Sequence, residues 1–202
     1  PWCVDISPYC DIVFESLTKF ASGNGDVMAG AVIIPKVSRF NKNKLEQIQK
    51  LTLPLYKRDM ERLAFSIKKY KTRVEKISQN TIKVIEKLTS SDKIKKIYSV
   101  TSTFQKKHWN KIKRDGMVCG VISFIFNGDV GKNYDNVDIP KGPSLGSEFP
   151  ILMAYTLLAH YHEIKNDEGL AYLEKIGLSP DLLRLSVSID DPMLTVKAIL
   201  QE

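Results

Sequence analysis

The chain has 202 residues, of which 43% are hydrophobic and 26% are charged, and its net charge is +7. These proportions are those of an ordinary soluble globular protein, and the length allows one good core, or one domain and part of another. No apolar run reaches the roughly 20 residues that a membrane helix needs. The first residues of the sequence have no basic stretch followed by an apolar one, so no signal peptide is expected.

The three cysteines, Cys3, Cys10 and Cys119, are odd in number and form no CxxC motif. We therefore predict reduced thiols in a cytoplasmic protein, and neither a disulfide framework nor a zinc site. The lysines are spread over predicted helical faces and do not form a basic block with interleaved aromatic residues. This pattern favours a solvated surface and no nucleic-acid partner. Nucleic-acid binding through the lysines of residues 68–87 is the alternative.

Residues 11–34 contain two short apolar runs around a glycine-containing loop, which predicts two strands. Lys19 follows the first run, and burial there would favour the neutral amine that Schiff-base chemistry requires. The hydroxyls of Ser16 and Thr18 flank it as hydrogen-bond donors to a phosphate, and the loop glycines let backbone N–H groups approach an anion. An amine beside a phosphate site suggests pyridoxal phosphate, PLP. A solvated lysine at a strand end is the alternative.

After this pair of strands the pattern predicts a series of helices and strands. A long helix over 59–88 has apolar residues at spacings of three and four; we favour an amphipathic helix packed on its own domain over a coiled coil. Residues 101–114 are predicted to be helical or looped, and 133–142 to be a loop. The other predicted helices are 44–51, 150–162 and 193–201, and the other predicted strands are 93–100, 120–127 and 182–189. Such an order indicates an α/β or α+β domain.

The segment SLTKFASGNGDVMAG, from Ser16 to Gly30, resembles the lysine-bearing segment of the PLP-dependent Cys/Met metabolism (trans-sulfuration) enzymes. That family includes cystathionine γ-synthases, cystathionine lyases and methionine γ-lyases. Its Ser-x-Thr-Lys motif is followed by a Gly-x-x-Asp-Val-x-x-Gly run, and both are present here. The resemblance implies that PLP is the cofactor and that Lys19 is the catalytic Schiff-base lysine. It also implies that Ser16 and Thr18 bind the cofactor phosphate.

Two later segments, PSLGSEF (143–149) and LLRLSVSIDDP (182–192), resemble the closing signature of the same family. By that resemblance Arg184 binds the α-carboxylate of an amino-acid substrate and Ser144 lines the same pocket. A planar guanidinium suits this role because it binds a carboxylate through two parallel hydrogen bonds. The alternative is a structural ion pair with an acid, for which three are candidates: Asp190, Asp191 and Glu148.

The resemblance covers residues 11–191 and implies the α/β, aspartate aminotransferase-like PLP-dependent transferase fold type I. Residues 1–55 are expected to be the C-terminal part of the large PLP-binding domain. Residues 56–202 are expected to form a long interdomain helix and an α+β C-terminal domain. Because the family's pyridine-nitrogen aspartate, stacking aromatic residue and glycine-rich loop lie upstream, we expect this chain to be the second half of a longer one.

The resemblance implies an enzyme of sulfur amino-acid metabolism that catalyses elimination or replacement at the β or γ carbon of a Cys- or homoserine-type amino acid. The expected partners are this small-molecule substrate and further copies of the intact protein, without a membrane or nucleic acid. His160 and His162 lie two residues apart, on different sides of a helix, so no metal site is predicted. The alternative function is that of a non-catalytic pseudoenzyme or partner-binding subunit with an exposed apolar face.

Overall fold

The computed structural model describes residues 2–201, with 103–105 described by their backbone alone. Residues 1 and 202, the outer ends of the two predicted domains, lie outside the described residues. In chain order the helices are α1 (Lys42–Leu51), α2 (Lys57–Ser66), α3 (Tyr70–Thr89), α4 (Thr103–Ile112), α5 (Val130–Asn136), α6 (Tyr155–Ala159), α7 (Asp167–Lys175) and α8 (Pro192–Leu200). The strands are β1 (Val13–Ser16), β2 (Gly30–Ile33), β3 (Ile94–Tyr98), β4 (Val121–Phe126), β5 (Ile151–Ala154) and β6 (Leu183–Ser186). None of the described helices has the length and apolar character needed to cross a lipid bilayer.

The first two strands form an antiparallel pair, with Ser16 at the end of β1 opposite Gly30 at the start of β2. The prediction of two strands around a loop is therefore confirmed. The backbone N–H of Leu17 donates to the carbonyl of Ala29 at 2.9 Å, which closes the intervening loop directly after β1. This closure places Lys19 in a turn next to the end of the strand.

The other four strands form a wholly antiparallel sheet in the order β3-β4-β6-β5. Ile122, Phe124 and Leu185 point to one face of this sheet and are buried in a core shared with apolar residues of α3 and α8. Because successive side chains of a strand point to opposite faces, Arg184 lies on the other face, with Ser123 beside it on β4. The sheet thus turns one face to the core and presents an arginine on the other.

The predicted continuous helix over 59–88 is interrupted. A 3-10 turn at Ile67–Lys69 separates α2 from α3. In this turn the N–H of Tyr70 donates to the carbonyl of Ile67, which frees the carbonyl of Ser66 to accept from the Arg73 guanidinium at 3.4 Å. The apolar spacing of three and four residues runs through this break, with Leu63 buried and Met60 half exposed before it, so the pattern alone does not reveal the interruption.

The prediction of one helix over 150–162 is wrong, because its first part is the edge strand β5 and only the short α6 follows. Short apolar runs fit a strand and a buried helix equally well by periodicity, and here pairing with β6 decides the outcome. Two helices, α5 and α7, were not predicted, and α5 overlaps the expected loop 133–142. The start of α7 is capped by the Asn166 side chain, which accepts from the N–H of Gly169 at 2.8 Å. The remaining predicted helices and strands match α1, α8, β3, β4 and β6 with small shifts at their ends, and α4 occupies the segment predicted as helix or loop.

Candidate active site

Lys19 and Ser144 lie 125 residues apart in the sequence and meet in the structure, where the Nζ of the half-buried Lys19 donates to Ser144 Oγ at 3.4 Å. Ser144 belongs to the loop that leads into β5. Its backbone carbonyl accepts from a terminal nitrogen of Arg184 at 2.9 Å. Three of the predicted site residues therefore come together, and they bring an amine, a hydroxyl and a guanidinium to one place.

Arg184 is held by backbone carbonyls and not by an acid. Its terminal nitrogen Nη2 donates to the carbonyls of Pro143 and Ser144 at 2.7 and 2.9 Å, while its Nε–H is buried and has no acceptor among the described residues. The salt bridges of residues 2–201 do not include Arg184, and Glu148 pairs instead with Arg73. The structure thus gives no support to the ion-pair alternative. Since buried donors are nearly always satisfied, the orphaned Nε–H indicates room for an anionic partner.

The guanidinium of Arg184 is also partly desolvated. Burial lowers its pKa from the ordinary value, and the nearby Tyr155 opposes part of that shift. Desolvation disfavours the charged form of a cation, whereas a neighbouring anion favours it. A carboxylate bound at this position would therefore offset the cost of burying the charge.

Ser16 and Thr18 lie in the same turn as Lys19, whose backbone N–H donates to the carbonyl of Ser16 at 3.4 Å. The Thr18 hydroxyl is used within the turn: it accepts from the N–H of Ala29 at 3.1 Å and donates to the carbonyl of that residue at 3.4 Å. The Ser16 side chain is exposed at the end of β1. The phosphate-binding roles of both residues stay predictions, with Ser16 the freer of the two hydroxyls.

The loop glycine Gly23 does not offer its N–H to an anion, because that group donates to the carbonyl of Lys19 at 2.9 Å. The approach of other backbone N–H groups of this loop to an anion stays a prediction. The backbone of Gly23 adopts φ of +79°, and a Cβ at this position would lie 2.5 Å from Nε of Arg73. Arg73 was not predicted as a site residue. The one signal in the sequence is that it directly precedes Val74, one of the regularly spaced apolar residues of the predicted helix over 59–88.

The segment that carries Ser144 lies against the turn that carries Lys19, backbone to backbone. The N–H of Glu148 donates to the carbonyl of Gly23 at 2.8 Å. Gly146 has φ of +80°, and a Cβ there would lie 2.7 Å from the backbone nitrogen of Phe20. Its own N–H donates to the hydroxyl of Ser186 on β6 at 2.9 Å. These contacts fix the distance between the Lys19 turn and the sheet that carries the arginine.

Gly146→Ala is expected to destabilise the protein and to separate the two segments. A left-handed conformation costs a non-glycine residue about 1–2 kcal/mol, and the contact with the Phe20 backbone adds to that cost. Gly25→Ala is a matched control, since Gly25 has φ of +72° and a Cβ added there would meet no atom within 4 Å. Urea unfolding of both variants should show the larger loss of unfolding free energy for Gly146→Ala. Equal losses would contradict the close packing.

Solved structures of cystathionine lyases and synthases share this fold. Cystathionine γ-lyase from yeast superposes with a TM-score of 0.83 at 23% identity, over 100% of this chain and 52% of that one. Cystathionine γ-synthase from Xanthomonas oryzae, solved with cystathionine, gives a TM-score of 0.78 at 20% identity, over 98% of this chain and 52% of that one. The predicted fold class, PLP-dependent transferase fold type I, is confirmed.

The sequence profile of the Cys/Met metabolism PLP-dependent enzymes matches residues 4–194. The chain therefore belongs to this family. Among its relatives, L-2-amino-4-chloropent-4-enoate dechlorinase/desaturase from Streptantibioticus cattleyicolor is 29% identical over 195 residues, which are 96% of this chain and 39% of the relative. Cystathionine γ-synthase from Saccharomyces cerevisiae is 30% identical over 200 residues, 93% of this chain and 30% of the relative. The chain thus spans about a third of the length of these curated relatives.

The residues present fit the cofactor that defines the family. The amine of Lys19 has a hydroxyl neighbour in Ser144, and the buried Nε–H of Arg184 has no acceptor among the described residues. An amine for covalent attachment and an orphaned cationic donor are the groups that a PLP site for amino acids requires. A metal is not needed for this chemistry, and within the described part of the chain no three His, Cys, Asp or Glu side chains are grouped to hold one.

Proposed function

We propose that the intact protein is a PLP-dependent enzyme of sulfur amino-acid metabolism. It would eliminate or replace the substituent at the β or γ carbon of a Cys- or homoserine-type amino acid, as a C–S lyase or a cystathionine synthase does. The observation that carries this proposal is the meeting of Lys19 Nζ with Ser144, whose backbone in turn holds Arg184. Membership of the Cys/Met metabolism family supports the same chemistry.

Each of the described site residues has a role in this proposal. Lys19 attaches the cofactor through Nζ and, once free, accepts the α-proton of the substrate at the same atom. Ser144 Oγ, at 3.4 Å, orients that amine. Arg184 binds the α-carboxylate. The Ser16 hydroxyl donates to the cofactor phosphate, and the Thr18 hydroxyl does so by giving up its 3.4 Å hydrogen bond to the carbonyl of Ala29. When bound, PLP supplies the electron sink for a carbanion at the α carbon.

The names of the relatives support a substrate with a leaving group beyond the α carbon. The Streptantibioticus cattleyicolor relative is named for a chlorinated amino acid and the Saccharomyces cerevisiae relative for cystathionine. Both names indicate an α-amino acid with a substituent at a later carbon. We assign this class of substrate, without choosing between β and γ chemistry.

The presence of two separate sheets supports the proposed domain organisation. Residues 1–55, with the β1–β2 pair, would be the end of the PLP-binding domain, and residues 56–202, with the four-stranded sheet, would be the C-terminal domain. Three large apolar residues of this first domain are exposed: Phe14 on β1 at 73%, Met28 before β2 at 81% and Leu53 after α1 at 90%. Exposed apolar surface of this kind supports an oligomer of the intact protein, which sedimentation equilibrium would measure.

The proposed location is the cytoplasm. Cys3, Cys10 and Cys119 are free cysteines, and unpaired thiols suit a reducing compartment. Cell fractionation with an antibody against the intact protein would test this location.

The test uses the longest chain that the gene encodes. PLP is added, absorbance is recorded, and the mixture is reduced with borohydride and digested for mass spectrometry. A visible absorbance band, followed by pyridoxyl label on the peptide that contains Lys19, is the expected result. Turnover of cystathionine, cysteine or an acylated homoserine would then identify the reaction. Absence of both band and label would overturn the proposal in favour of a non-catalytic, partner-binding subunit.

A further inference from the structure

The side chain of Arg73 is buried on α3, with 3% of its surface exposed. Its Nη1 donates to the carbonyls of Phe20 and Ala21 at 3.0 and 3.1 Å. Its Nε and Nη2 both lie 3.2 Å from the carboxylate of Glu148. One guanidinium thus joins the turn that carries Lys19 to the segment that carries Ser144.

A guanidinium is an expensive group to bury for packing alone. The desolvation penalty of a charged pair often exceeds its mutual attraction, and apolar residues of similar volume are frequently as stable. The planar fork of arginine is instead suited to fixing several acceptors in a defined geometry. At Arg73 those acceptors lie on three separate stretches of chain: the Lys19 turn, Glu148 and the end of α2.

The turn itself is shaped to receive this side chain. A Cβ at Gly23 would lie 2.5 Å from Nε of Arg73, so only glycine leaves room for the guanidinium. The carbonyl of Gly23 accepts from the N–H of Glu148 at 2.8 Å, beside the ion pair. The side-chain contacts of Arg73 and this backbone hydrogen bond therefore both hold the Lys19 turn against the segment that carries Ser144.

We infer that Arg73 is a positioning residue that holds Lys19 Nζ against Ser144. This role rests on the proposed function, since it concerns the amine that attaches PLP. Arg73 reaches Lys19 through the backbone of Phe20 and Ala21 and reaches the Ser144 segment through Glu148. Without the Arg73 guanidinium, the Lys19 turn would stay attached to β1 and the Ser144 segment to β5. The distance between Lys19 Nζ and Ser144 Oγ, now 3.4 Å, would increase.

The test compares the rate of PLP attachment with stability in the longest chain that the gene encodes. Arg73→Lys keeps the charge and removes the fork, and attachment is followed by borohydride reduction and quantification of the Lys19 peptide. Val84→Ala, in the α3 core and remote from the turn by sequence, is a variant that lowers the unfolding temperature without removing a hydrogen bond of the turn. Arg39→Lys provides the same exchange in an exposed ion pair with Asp11.

We expect Arg73→Lys to attach PLP about 10- to 100-fold more slowly at a temperature where all variants are folded, since small misplacements of reacting groups have effects of this size. Val84→Ala and Arg39→Lys should attach it at the unsubstituted rate. If Arg73→Lys is no slower than Val84→Ala, the arginine only stabilises the fold and the inference is wrong.

A second variant keeps the test decisive if Arg73→Lys does not fold. Glu148 has 41% of its side chain exposed, so Glu148→Gln is expected to fold, and it removes the charge that holds the other end of the fork. Attachment several-fold slower than in the unsubstituted protein supports the role, and an unchanged rate overturns it. If the unsubstituted protein takes no label at Lys19, the proposed function fails and the positioning role falls with it; normal labelling in every variant overturns the role alone.

Discussion

Lys19→Ala is expected to abolish covalent attachment of PLP and to leave the protein folded. The side chain is half-buried, and its Nζ forms one long hydrogen bond, to Ser144 at 3.4 Å. Its removal should therefore cost little unfolding free energy, about 1 kcal/mol or less by the usual contribution of a hydrogen bond. The loss of PLP attachment is much larger than this loss of stability, because no other described amine donates to Ser144 Oγ and could take the place of Lys19.

Turnover by the Lys19→Ala variant should fall on the order of 10⁴-fold, the upper range for loss of a general acid or base, with a further loss from the missing attachment. The measurements are the borohydride label on the peptide, the rate of product release and the thermal unfolding temperature. Lys36→Ala, at an exposed lysine beyond β2, is the matched control and should be unchanged in all three. Full labelling of Lys19→Ala at another lysine would show that the attachment site has been assigned wrongly.

The hairpin formed by β1, β2 and the intervening loop with Lys19 could be predicted because its signals are local. Apolar runs on both sides of a glycine-containing loop define two strands, and the motif around the lysine is contiguous. Lys19 contacts Ser144, which lies 125 residues later in the sequence. Residue spacing alone was compatible with a solvated lysine at position 19 and with a structural ion pair at Arg184. Only the resemblance to one family, which has these motifs in the same order, assigned Lys19, Ser144 and Arg184 to a single site.

Arg73 and β5 show where such reasoning fails. A basic residue in a helical segment is normally assigned to the solvated face. Nothing local reveals that three acceptors distant in sequence, on Phe20, Ala21 and Glu148, converge on Arg73. The apolar run at the start of 150–162 is compatible with a helix or a strand. Its conformation is decided by the free edge of β6, which is formed by residues much later in the chain.

Arg184→Gln is expected to weaken binding of the amino-acid substrate by about a hundredfold or more. Each hydrogen bond to a charged group contributes about 1.5–3 kcal/mol, and each 1.4 kcal/mol is about a tenfold change in affinity. Glutamine keeps a donor but loses the charge and the planar fork that matches a carboxylate. Arg184→Lys keeps the charge and should recover part of the affinity. The measurement is the KM of each variant for the amino acid that the intact protein turns over.

A comparison of the substrate with its carboxamide separates this role from a structural one. If Arg184 binds the α-carboxylate, the unsubstituted enzyme should prefer the acid strongly, and Arg184→Gln should lose most of that preference while PLP attachment at Lys19 stays normal. If Arg184 only supports the Ser144 segment through the carbonyls of Pro143 and Ser144, the variant should weaken acid and amide alike and slow attachment as well. The buried Nε–H without an acceptor among the described residues favours the first outcome, because a donor used only for support would be satisfied by the protein itself.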